Sequence, residues 1–147
     1  MLRAILAVVI SYVAMLVLAF IAFACAFLIV GPEVAFKPGL YEAAPTWIGI
    51  AFLINVIDAL IGGFLCALIA KGGRAPFALA VVVIVLGLAV AFADMNKGKM
   101  NAGLARNANT PRMEAIQKAY WPIWVPFAFP FTGAIGVLIG GKLKRRD

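Results

Sequence analysis

The chain has 147 residues, 65% of them hydrophobic, and carries a formal net charge of +7. Soluble domains run nearer about 45–50% apolar, so the mean hydropathy of +1.07 points to a bilayer and leaves no room for a separate soluble domain. There is no histidine, the commonest general base and metal ligand, and two cysteines without a Cys-x-x-Cys pair argue against zinc, iron–sulfur or dithiol chemistry.

Residues 1–147 read as one all-α polytopic membrane domain. Four transmembrane helices are expected at about 4–30, 47–70, 76–93 and 120–141, each near the length that crosses a roughly 30 Å hydrocarbon core. The basic residues sit at helix ends and in loops, where cations set orientation and meet anionic head groups. They form no continuous folded face, so nucleic acid is not an expected partner; the lipid bilayer is.

The first span runs from Ala4 to Val30 behind Arg3. A signal peptide has an apolar region of about 7–15 residues. This run is far longer, so a retained helix is expected, with Ser11 and Tyr12 its only polar groups. The loop from Gly31 to Thr46 holds Pro32, Pro38 and Pro45, which argue against a continuous helix. Phe36, Tyr41 and Trp47 place it at the head-group level.

The second span, Trp47 to Ala70, carries Asp58, the one acid expected inside a span. Asn55 lies three residues before it and Gly62 four after, so the three share a helix face. Ala51 and Cys66 extend that face into a small and polar stripe. Lys71-Gly72-Gly73-Arg74 is a tight basic turn, and so short a link makes the second and third spans antiparallel neighbours. The third span, to Ala93, has no polar side chain and reads as scaffold.

Asp94 to Ala119 is expected to be a long loop, irregular in its Asn- and Gly-rich first part. Asp94-x-Asn96-x-Gly98 resembles the start of a calcium loop but lacks the remaining ligands. A plain turn is the better reading. A short amphipathic helix is expected at about 111–119, with Thr110 as cap and Pro111 at its first position, lying on the membrane surface. The fourth span holds Pro122, Pro126 and Pro130 four residues apart, which would kink it against neighbours or a wet cavity. Gly133, Gly136 and Gly140 form a smooth packing stripe.

Four spans put both termini on one side. Arg3, Lys71, Arg74, Lys142, Lys144, Arg145 and Arg146 share that side in very short segments, so both termini are expected in the cytoplasm of a bacterial inner membrane. Cys25 and Cys66 then differ in depth by roughly 20–25 Å, beyond disulfide reach; two free, buried thiols are expected.

A carboxyl at mid-membrane costs roughly 2.5–3.5 kcal/mol by insertion scales. In one reading Asp58 is a protonated packing group, its stripe laid against the glycines of the fourth span and bonded to Asn55, Tyr12, Ser11, Thr132 or a proline-freed carbonyl. In the alternative, Asp58 with Asn55 is a proton or cation site of an oligomeric small transporter or channel. A third reading is an accessory subunit of a larger membrane complex. A homo-oligomer or a membrane-complex partner thus stays open. No Ser/His/Asp set, carboxylate pair or phosphate-cradling loop is present, so no enzyme, cofactor or metal site is expected.

The Asn55/Asp58/Gly62-Gly63 helix, the Met113-Glu114-Ala115-Ile116-Gln117 segment and the Gly-rich last helix together resemble a group of small four-helix bacterial inner-membrane proteins with no assigned chemistry. The resemblance implies the four-span layout and brings no substrate or site residue. Small multidrug transporters, also four-helix proteins, carry their essential acid in the first helix; here that helix has none.

Overall fold

The computed structural model describes residues 2–71 and 73–145. Gly72 of the basic turn and Arg146 of the basic tail therefore lie outside the described residues. The elements are α1 (Leu2–Val30), α2 (Pro32–Ala35), α3 (Pro45–Ala70), α4 (Ala75–Asn101), α5 (Arg112–Lys118) and α6 (Trp124–Arg145). Helices α1, α3, α4 and α6 are long and apolar enough to cross a membrane, and the chain is an all-α, four-span protein. Its spans turn Ile5, Val9, Phe20, Val85 and Val90 outward, more than half exposed in several cases. An apolar surface of that extent is a lipid-contacting one.

α3 and α6 form the central seam. The glycine stripe of α6 does pack on α3, but one step round from the expected stripe. A Cβ on Gly136 would lie 2.7 Å from the Ala59 Cβ, and one on Gly140 would overlap the Leu60 carbonyl oxygen. Reciprocally, a Cβ on Gly63 would overlap the Val137 carbonyl oxygen. Backbones meet here because no side chain separates them. Below this seam the core closes around Ala7, Cys66, Leu79 and Val137, all fully buried.

α4 runs eight residues past Ala93, so the expected irregular start of the long loop is helix. Tertiary contacts override weak propensity there. Gly98 lies under the Tyr120 ring, and the Asn101 Nδ2 donates to the Lys118 carbonyl at 2.9 Å. The helix ends at Asn101, and Gly103 just beyond it, with a φ of 89°, turns the chain. α6 begins at Trp124 rather than at residue 120. Pro122 is therefore outside it, and only Pro126, in the first turn, and Pro130 lie on the helix. Thr132 donates to the Ala128 and Phe129 carbonyls beside the Pro130 kink.

The end of the bundle bearing the long loops is a folded cap. Tyr120 N–H donates to the Tyr41 carbonyl, Ala43 N–H donates to the Tyr120 carbonyl, and Phe36 bridges Ala43. Arg106, 7% exposed, donates from Nε to the Leu40 carbonyl and from Nη1 to Glu33, and covers the Phe36 ring. α5 is present over nearly its expected range and is docked into this cap through buried Ala115. Pro111 sits at its cap position, while Thr110 accepts a bond from Asn107 N–H instead.

Candidate functional site

Asn55 and Asp58 sit near the middle of α3, one turn apart, and the bundle treats them oppositely. Asn55 faces α6. Its Nδ2 donates to the Thr132 Oγ1 at 2.9 Å and to the Phe129 carbonyl at 3.2 Å. That is the interhelical polar packing expected of Asp58, performed by its neighbour. Asp58 instead faces α1 with Gly62, whose space is taken by the Met15 side chain. Asp58 is 9% exposed, and its Oδ1 is buried without a hydrogen-bond partner. None of the partners expected for it engages it.

Asp58 lines a cleft of about 220 Å³. α1 supplies Tyr12, Met15, Leu16 and Ala19; α6 supplies Pro126, Phe129 and Pro130. α4 contributes Val83, Gly87, Val90, Ala91 and a second acid, Asp94. Sequence reasoning missed Asp94 because it assigned that residue to a loop. Gly87, Ala91, Asp94 and Gly98 in fact follow helical spacing on one face, and that periodicity was the available signal. Gly87 gives the cleft its wall: a Cβ there would lie 2.7 Å from Pro130 Cγ.

Counted at 1.5 Å per residue from the basic turn, Asp58 lies about 18 Å along α3 and Asp94 about 28 Å along α4. Asp94 is thus roughly 10 Å closer to the cap. It also lines a smaller cavity of about 160 Å³ with Lys97, Trp47 and Tyr120. The polar groups form a column that begins under the cap and ends at Asp58. Toward the basic end the column stops at the packed core.

Ser11 Oγ is also buried, and its polar neighbour is the Cys66 thiol. Cys66 is buried and free, as expected. Cys25 is free but exposed, because α1 packs through Ala7, Ser11, Met15 and Phe27 and turns its other faces to lipid. Among the described residues no three acid or cysteine side chains gather into a group that could hold a metal ion. What the arrangement offers is an acidic side chain with an unbonded oxygen inside a largely apolar cleft.

Fold and cleft define a four-span membrane protein with an acid-floored cleft about midway along its second span. No protein-family model, no curated protein and no solved structure matches the chain.

Proposed function

We propose that this protein is a small cation carrier or channel of the bacterial inner membrane that binds a proton or small monovalent cation at Asp58, with Asp94 as a second anionic station. The unpartnered Asp58 Oδ1, buried in a cleft that also holds Asp94, carries the reading. A buried charged or polar group without a partner costs free energy. A packing role gives no reason to bear that cost while Asn55 already links α3 to α6. Intramembrane acids that line a cavity mark ion pathways. In liposomes holding the purified protein, Asp58→Asn is expected to abolish cation or proton flux and Asp94→Asn to reduce it. Flux unchanged in Asp58→Asn would falsify the reading.

Both termini belong in the cytoplasm. Among the described residues Arg3, Lys71, Arg74, Lys142 and Lys144 gather at one end outside any ion pair, whereas Lys37, Arg106 and Lys118 at the other end are paired with Glu42, Glu33 and Glu114. The first group sits in very short segments touching the ends of the spans, where basic residues set orientation most strongly. A reporter enzyme fused after Asp147 should be active only when it is the cytoplasmic type.

A second copy or a larger membrane complex also has a place to dock. Only 11% of the most apolar stretch of α1 is buried inside the chain. Mass after mild detergent extraction distinguishes a monomer from either assembly.

A further inference from the structure

The Asp58 cleft opens sideways, and this indicates what enters it. α1 and α4 come together at the basic end, where Ala7 packs with Ala75 and Leu79 in one core. Farther along they part, leaving the cleft between them. Leu16 on α1 and Val90 on α4 stand at its mouth, 54% and 59% exposed. Both lie in membrane-spanning segments, so the mouth faces acyl chains. The floor is Asp58, and Tyr12 and Phe129 are among the residues that line the walls.

We propose that this cleft binds amphiphilic ammonium cations that enter laterally from the bilayer, the ammonium head against Asp58 and the alkyl tail left in lipid. The proposal rests on the reading of Asp58 as a cation site and names the ligand class. Three features select that class. The buried, unpartnered carboxyl oxygen calls for a cation or donor. The lining is otherwise apolar and includes aromatic Tyr12, a residue type that attracts quaternary ammonium. A volume of about 220 Å³ is below the roughly 300–1,000 Å³ of sites that enclose a whole drug-sized ligand. It therefore suits a head group whose tail stays outside.

The test uses the full chain in phosphatidylcholine nanodiscs, titrated calorimetrically with dodecyltrimethylammonium, with empty discs as the reference for partitioning. Wild type should show saturable binding above that reference. Asp58→Asn should weaken it more than about tenfold, the scale of truncating one partner of a buried charge pair. Ala19→Trp, which fills the mouth without altering charge, should weaken it similarly and keeps the test decisive if Asp58→Asn fails to fold. Tetramethylammonium, without a tail, should bind far more weakly at equal aqueous concentration. Binding unchanged in the variants, equal binding of dodecanol, or equal binding of tetramethylammonium overturns the inference. Flux that depends on Asp58 without dodecyltrimethylammonium binding overturns the ligand class and leaves the small-cation reading standing. Flux that ignores Asp58 removes that reading even where ammonium binds.

Discussion

The α3–α6 seam and the α1–α4 cleft are built from the same kinds of residue and differ in what is satisfied. At the seam, glycines bring two backbones into contact and Asn55 finds two acceptors on α6. At the cleft, Gly87 admits Pro130, yet the space beyond stays open and Asp58 keeps an oxygen unbonded. One helix, α3, serves both, and a turn of one residue decides which side chain is structural. The seam is therefore the satisfied region, and the cleft the region on which the proposed function rests.

The largest expected effect comes from breaking the seam. Gly63→Ala forces a Cβ into the Val137 carbonyl, a backbone atom that cannot move without shifting α6. A loss of about 3 kcal/mol or more is expected, at the upper end for overpacking. Gly62→Ala, one residue away on the cleft side, meets only the Met15 side chain. That thioether has three rotatable bonds and can yield, so the expected loss is about 1 kcal/mol. Reversible unfolding in mixed micelles measures both. Equal losses would erase the distinction between the two faces.

A smaller and opposite pair of effects sharpens the same contrast. Asn55→Leu removes two bonds to α6 and should destabilise by about 1–2 kcal/mol, since interhelical side-chain bonds in membranes average well below 1 kcal/mol each and peak near 1.7. Thr132 keeps its own backbone acceptors, so no new orphan is left behind. Asp58→Leu removes an orphaned buried oxygen and should stabilise the protein by about 1 kcal/mol or more while abolishing flux. A site held at a cost to stability is the signature of function. If Asp58→Leu destabilises the protein, Asp58 is a packing group after all.

The four spans were legible because a bilayer demands long apolar runs, and so was the role of Gly136 and Gly140 as a smooth packing face. The partner face was harder to read. Ala51, Asn55, Asp58, Gly62 and Cys66 lie along one broad stripe, but small residues on α3 extend round to Ala59 and Gly63, and periodicity alone does not say which edge meets α6. Asp94 was hidden for a different reason. Its neighbours Asn96, Gly98 and Asn101 have the composition of a loop. Only long-range contacts, Asn101 with the Lys118 carbonyl and Gly98 with Tyr120, hold that segment as helix. The same contacts dock α5 and delay the start of α6 past Pro122. Such partners lie about 17 or more residues away in the chain, so the local signal was limited to the spacing of Gly87, Ala91, Asp94 and Gly98.

The cap contributes the mildest expected effect, through Tyr120. Its phenol is pushed above the ordinary value of 10, first by burial, then by the negative charge of Glu42, with Lys37 acting in the opposite sense. A folded-state value raised above the unfolded one means that the native protein holds the proton more tightly. The resulting stability is complete below pH 10 and is lost as pH rises through the raised folded value. Tyr120 also closes the cavity that Asp94 and Lys97 share, so ionising it should loosen the cap over the polar column while leaving the seam intact. Phenolate absorbance should show one late-titrating tyrosine, absent in Tyr120→Phe, and thermal stability of the wild type should fall more steeply above pH 10 than that of the variant. Coincident alkaline profiles would place Tyr120 outside any role in holding the cap, whereas a difference that also moves the Gly63→Ala loss would show that cap and seam unfold as one unit.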